Sequence, residues 1–162
     1  MTIAIGDRLP GADLVRIGDA GVEQVDIASH IKGRNVVIFA VPGAFTPTCH
    51  SAHMPSFVRN VDALRDRGVE EVICISVNDP FVMKAWGEAT GATAAGITLL
   101  GDPRSELTQE LGLAFDAPGP GLMGRSRRYA MHVVDGEVRV LHLEESTGAC
   151  EISGGEAMLA AL

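Results

Sequence analysis

Cysteine is scarce in this chain, and its spacing puts it to no structural use. Three thiols, Cys49, Cys74 and Cys150, are scattered over 162 residues. No two form a close pair, so a disulfide framework is excluded, and the missing Cys-x-x-Cys signature argues against a dithiol oxidoreductase. Metal-ligand spacing is missing too. His30, His50, His53, His132 and His142 contain no His-Glu-x-x-His arrangement, and Cys49 with His50 or His53 lacks partners at zinc spacing. Neither a metal nor another cofactor is expected. No apolar run approaches the roughly 20 residues of a membrane span. The opening Met1-Thr2-Ile3-Ala4-Ile5-Gly6-Asp7 lacks the basic end, apolar stretch and cleavage pattern of a signal peptide. An odd cysteine count without that signal suggests a reducing compartment, so a cytoplasmic location is expected. Excess positive charge is absent as well. Thirteen Lys and Arg against 21 Asp and Glu leave a formal charge of −8. That removes the electrostatic term behind binding to nucleic acid or an anionic membrane, and neither is expected as a partner.

Apolar material is plentiful. Hydrophobic residues make up 46% of the chain and the mean hydropathy is +0.20, enough for a core in one domain over residues 1–162. Leu14–Ile17 and Val22–Val25 flank Asp19-Ala20-Gly21 as in a hairpin, and a helical turn over 26–31 ends before Gly33. The stretches 35–41, 69–77 and 97–100 read as strands. Between them, helical spacing runs from Thr46 to Arg67 and again from Pro80, where Phe81, Val82, Ala85 and Trp86 form the apolar face. Pro55 predicts a kink or a new helical segment. Asp102-Pro103 starts a short helix, and the glycine- and proline-rich stretch 113–126 reads as an irregular loop. Residues 128–134 and 137–143 alternate around Asp135-Gly136, a hairpin signal. Ser153 and Glu156 predict a capping box for the last helix. Strands alternating with helices imply an α/β fold with a largely parallel sheet, and the closing hairpin makes that sheet mixed.

The chemistry concentrates after the strand Asn35–Val41, in Pro42-Gly43-Ala44-Phe45-Thr46-Pro47-Thr48-Cys49. Thr46 suits an N-cap and Pro47 suits N1, which puts Cys49 at about N3. A thiol there meets unpaired backbone donors and the positive end of the helix, and both favour the reactive thiolate. A buried inert cysteine is the plainer alternative. The flanking Thr-Pro-Thr and His50 weigh against it.

This segment resembles the active-site segment of peroxiredoxins, and the Phe45 version is similar to the type V and plant type II branch. Ile75-Ser76-Val77-Asn78-Asp79-Pro80-Phe81-Val82-Met83-Lys84-Ala85-Trp86 and Arg127-Arg128-Tyr129-Ala130-Met131 extend the resemblance over nearly the whole chain. It implies a thioredoxin-like fold, which the strand and helix pattern alone does not separate from other α/β sandwiches. It also implies reduction of hydrogen peroxide and alkyl hydroperoxides by a thiol, with electrons from thioredoxin or from glutathione and glutaredoxin.

Thiolate attack on a peroxide needs an ionised sulfur, donors that orient the substrate, and a cation for the charge shared among sulfur and both oxygens. Cys49, Thr46 with the first-turn amides, and an arginine of the run Arg125-Ser126-Arg127-Arg128 are the candidates. The resemblance assigns the cation to Arg128, before Tyr129, and leaves Arg125 and Arg127 as surface charge. It gives Pro42 the shielding of the sulfur. Phe45 reads as a pocket wall or a core ring, and His53 as a polarity-tuning neighbour of Cys49 or a surface histidine. The sulfenic acid formed on Cys49 needs a second thiol. Cys74 resembles the plant type II resolving position and lies in a strand. Cys150 resembles the animal type V position and lies in a polar loop, which moves more readily, so Cys150 is favoured. A homodimer with Phe45 and Trp86 at its surface is a further expectation. The alternative function is a redox sensor oxidised at Cys49 without efficient turnover.

Overall fold

A computed structural model describes residues 1–162. The chain opens with an antiparallel hairpin of β1 (Asp13–Gly18) and β2 (Gly21–Asp26), then a single helical turn, α1 (Ile27–Ile31). β3 (Asn35–Val41) runs parallel to β4 (Glu71–Ser76), and β4 runs parallel to β5 (Thr98–Gly101). Parallel neighbours need crossovers. α2 (Met54–Asp66) supplies the first, and α3 (Pro80–Thr90) with α4 (Ala92–Ala95) supplies the second. After α5 (Glu106–Glu110) come β6 (Ala114–Ala117) and β7 (Leu122–Ser126), then β8 (Tyr129–Val134), β9 (Glu137–Leu143) and α6 (Gly155–Ala161). The seven-stranded mixed sheet has the order β2-β1-β5-β4-β3-β8-β9, with β8 antiparallel to β3.

β3 is buried on both faces, as its unbroken apolar run requires. Val36, Ile38 and Ala40 join a core with Leu14, Ile27 and Ile31, while Val37, Phe39 and Val41 face Phe57, Leu64 and Trp86 on the other side. Cys49 and Cys74 both belong to the second core. The turn between β8 and β9 places Asp135 (φ 47°) and Gly136 (φ 78°) in the left-handed region, the geometry of a two-residue hairpin.

Three local expectations change, and the open one at Pro55 is decided. Residues 113–126 are not an irregular loop: β6 and β7 pair as a second small sheet, turned where Gly121 donates to the Pro118 carbonyl. The pattern hides this hairpin because most of its side chains stay outside the cores. Of the two readings of Pro55, the new segment holds: α2 starts at Met54 with Pro55 in its first turn. It follows a π-helical turn, Cys49–His53, closed by the Met54 amide on the Cys49 carbonyl. A proline at 55 has no N–H to return to Ser51, and the wider turn absorbs that loss just after the reactive segment. α3 turns Met83 and Trp86 inward and leaves Phe81 66% exposed. Finally, α6 has no capping box. The Ser153 hydroxyl donates to Glu144, and Glu156 is held by Arg59 and Asn60 instead.

Candidate active site

β3 delivers the chain to Pro42 and Gly43 at the edge of the core, and the Ala44 amide is fixed on Asn78 Oδ1 at 3.0 Å. Phe45 then takes a left-handed backbone (φ 64°), which turns the chain into the helix. The first helical bond runs from the His50 amide to the Thr46 carbonyl at 2.9 Å, so Thr46 is the N-cap and Cys49 is N3. The Thr46 hydroxyl lies 2.7 Å from the Gly43 carbonyl and 2.9 Å from Cys49 Sγ. It carries one proton and serves one of these acceptors at a time.

Cys49 is fully buried, and Arg128, one residue before β8, is only 1% exposed. The Arg128 guanidinium donates from Nη2 to Cys49 Sγ at 3.1 Å and to the Thr147 carbonyl at 2.9 Å. Its Nε also reaches Thr147, at 3.2 Å, and its Nη1 lies 3.0 Å from His53 Nδ1. Arg128 takes part in none of the ion pairs of the chain. A buried cation among neutral acceptors is costly to desolvate, and an anionic sulfur at Cys49 is the partner that offsets the cost. The arrangement can therefore stabilise an anion on the Cys49 sulfur.

His53 is no surface residue; it is fully buried against Phe39 and Phe57. Burial first, and the Arg128 charge second, push its pKa down to about 3, so the ring is neutral. Its Nδ1 faces a guanidinium donor and must be the acceptor. The proton is then on Nε2, which donates to the Ser153 carbonyl at 2.8 Å. The sequence leaves His53 open between a polarity-tuning neighbour of Cys49 and a surface histidine, because the partners that decide it lie 75 and 100 residues away.

The remaining candidates fall in different places. Pro42 is buried, and its carbonyl accepts from Arg125 Nη1 at 3.1 Å. Arg125 is thus half-buried and braces the reactive segment, not the free surface charge the sequence suggests. Arg127 is also half-buried and donates to the Glu144 carbonyl. Phe45 is no core ring; it is 52% exposed and stacks on His50. Trp86 is fully buried and donates to His50 Nδ1 at 3.0 Å, so it lines no outer surface.

The two candidate resolving thiols differ sharply. Cys74 is fully buried in β4, and burial, with the nearby Cys49, pushes its thiol well up. Cys150 is half-buried on the strap Glu144–Ser153, beside an open cleft of about 330 Å³ that includes Ser51, Ser56 and Gly154. Burial raises the Cys150 thiol as well. The strap touches the site directly, because Thr48 Oγ1 donates to the Gly148 carbonyl at 2.9 Å.

Known proteins share this whole arrangement of chain. The Redoxin family profile matches residues 4–159. Peroxiredoxin-2E-2, chloroplastic, from Oryza sativa subsp. japonica is 47% identical over 165 residues, covering 99% of this chain and 73% of that one. Peroxiredoxin-2B from Arabidopsis thaliana is 40% identical over 161 residues, covering 99% and 98%. The chain is a peroxiredoxin. Among solved structures, reduced Prx3 from Vibrio vulnificus in complex with H2O2 superposes with a TM-score of 0.93 at 42% identity, covering 99% of each chain. As a peroxiredoxin of thioredoxin-like fold, this protein is a thiol-dependent peroxidase. That membership favours turnover over a sensor oxidised once.

Proposed function

We propose that Cys49 is the peroxidatic nucleophile, oriented by Thr46 and charge-stabilised by Arg128, with hydrogen peroxide and small alkyl hydroperoxides as substrates. The observation that carries this reading is the pair of donors on one buried sulfur, Thr46 Oγ1 at 2.9 Å and Arg128 Nη2 at 3.1 Å. The Cys49 thiolate attacks one peroxide oxygen and the O–O bond breaks. The second oxygen leaves as hydroxide or alkoxide and takes up a proton, and Cys49 becomes a sulfenic acid. As charge moves from sulfur to the leaving oxygen, the Arg128 guanidinium faces it throughout. Pro42 shields the sulfur from bulk water. The Vibrio vulnificus relative is described in complex with H2O2, which supports the smallest peroxide as a substrate.

Resolution falls to Cys150. Its thiol displaces water from the sulfenic acid and forms a Cys49–Cys150 disulfide, which a thioredoxin-type dithiol then reduces. Cys150 lies on a strap outside any strand, its own amide and carbonyl in no ladder although the Glu144 carboxylate holds residues 151–153, whereas Cys74 is locked inside the hydrogen-bonded ladder of β4. Glutathione with glutaredoxin is the reductant in the competing route, where no internal disulfide forms. We further propose a homodimer through the exposed Phe45 and Phe81, whose turns are tied together by Asn78 on the Ala44 amide. Three free thiols support a reducing, cytoplasmic setting.

Non-reducing peptide mass spectrometry after one equivalent of hydrogen peroxide tests the assignment. Wild type is expected to yield a Cys49–Cys150 link within one chain, Cys74→Ser the same link, and Cys150→Ser a persistent Cys49 sulfenic acid. Peroxide consumption is expected to vanish in Cys49→Ser. Undiminished turnover in that variant would sink the reading.

A further inference from the structure

The strap that carries Cys150 is stitched at its far end by a single carboxylate. Glu144 Oε2 accepts the amides of Glu151 and Ile152 at 2.9 Å each, the Ser153 amide at 2.7 Å and the Ser153 hydroxyl at 2.6 Å. Glu144 itself is 4% exposed, and its own amide donates to the Arg128 carbonyl at 3.0 Å. Burial works against its ionisation, but the Ser153 hydroxyl and the three amides outweigh burial and hold its carboxyl below the usual range. A fixed anion thus grips both donors of Ser153. The one polar group Ser153 has left is its carbonyl, which is the acceptor for His53 Nε2 at 2.8 Å.

We propose that Glu144 is a positioning residue for peroxide reduction: through Ser153 it fixes His53 as the Nε2–H tautomer, whose Nδ1 lone pair aims the Arg128 guanidinium at Cys49. The inference rests on the peroxidatic role of Cys49. A histidine beside a guanidinium has one productive tautomer. With its proton on Nδ1 the ring would set a donor against Arg128 Nη1, and the guanidinium would have to turn away. The Thr147 carbonyl, which takes Nε and Nη2, restrains the rest of the guanidinium, leaving His53 to hold the Nη1 end. Ser153 sets the tautomer only while its carbonyl stays in place, and Glu144 keeps it there. Four residues in series therefore stand behind the sulfur: Glu144, Ser153, His53 and Arg128. None of the first three touches Cys49 in the hydrogen-bond network.

The test pairs a spectroscopic readout with a rate. ¹⁵N-histidine NMR of the full chain, with the His53 signals assigned by difference against His53→Gln, reads the tautomer. Quenched-flow mass spectrometry of the Cys49 peptide reads single-turnover oxidation by hydrogen peroxide. In wild type a protonated Nε2 and a bare Nδ1 are expected. Glu144→Gln supplies an oxygen without the charge, and it is expected to mix the tautomers and slow Cys49 oxidation by roughly 10-fold, the scale of one weakened hydrogen bond at a reacting centre. Ser153→Ala, which keeps the amide and the carbonyl, is expected to show the same changes in smaller measure. A bare Nε2 in wild type would overturn the proposal whatever the variants do. So would an unchanged His53 tautomer in Glu144→Gln, even with slower oxidation, since that loss would be merely structural. Wild-type Cys49 that ignores peroxide would overturn the peroxidatic reading instead, and the tautomer measurement would still decide the linkage from Glu144 to His53.

Discussion

Two charged clusters sit at opposite ends of β3, and they are built on opposite rules. At its start, beside Val36, Glu71 receives His30 Nε2 at 2.8 Å, Arg34 Nη1 at 2.7 Å and the Thr98 hydroxyl at 2.6 Å. Anion and cation meet there, and every strong donor has its acceptor. At its end, near Ala40, Arg128 is more deeply buried and has only carbonyl, imidazole and thiol for company. The first cluster is complete in the folded protein. On the proposed reading, the second is completed by the anion that Cys49 brings to the reaction. Charge placed for stability is paired, whereas charge placed for chemistry is left with a reactive partner.

Removing Arg128 breaks this contrast most severely. Arg128→Met is expected to slow Cys49 oxidation by about 1,000-fold, as when a charge-stabilising donor is lost from a reacting centre. Stability is expected to respond weakly. Relief of a buried, unpaired cation offsets the Thr147 carbonyl and His53 Nδ1 left without donors, so the melting temperature stays within about 5 °C of wild type. Stopped-flow oxidation and calorimetry on the same sample check both halves. A large loss of stability would mean that Arg128 is a structural pair like Arg34, and the two clusters would then obey one rule.

His53 gives the contrast a pH signature. In the unfolded chain a histidine titrates near 6.5, whereas folded His53 titrates at about 3. Between those values the unfolded state holds a proton that the folded state does not. Stability therefore falls as pH drops below 6.5, at up to about 1.4 kcal/mol per pH unit, until about pH 3. His53→Gln is expected to remove that slope while leaving the smaller one from His132, which burial and Arg139 also lower. Denaturant titrations at several pH values between 4 and 7 would show an unchanged slope if His53 were accessible to protons in the folded state.

The parts of the site that were legible in the sequence are those whose logic is local. Thr46, Pro47 and Cys49 are read from helix-start chemistry over four residues, and β3 is read from one apolar run. Arg128 is different: a run of three arginines with one serine has no local rule that selects a member, and only the peroxiredoxin motif picks it. His53 stayed open between a neighbour of Cys49 and a surface residue, and Arg125 and Glu144 escaped, for the reason that binds all three to the site. Their partners, Ser153, Pro42 and Ser153 again, lie 100, 83 and 9 residues away, and neither helical nor strand periodicity relates them. The hairpin of β6 and β7 escaped because periodicity reports burial, and most of its side chains stay outside the cores.

The smallest expected effect comes from the paired cluster and sharpens the comparison from its quiet side. Burial opposes the ionisation of Glu71, but Thr98, His30 and Arg34 outweigh it and hold the carboxyl below its ordinary 4.5. A depressed carboxylate contributes stability above the unfolded value, and that stability is lost as pH falls through the folded one. Glu71→Gln keeps the shape and the Thr98 partner yet discards the anion. It is expected to cost about 1–2 kcal/mol at pH 7, to cost less in acid below pH 4.5, and to leave Cys49 oxidation at the wild-type rate. Chemical denaturation at pH 7 and pH 3.5, beside a peroxide assay, separates the outcomes. A slower peroxidase reaction in this variant would show that strain at the start of β3 reaches Cys49 through the strand, and that the two ends of the sheet are one mechanical unit and not two independent solutions to buried charge.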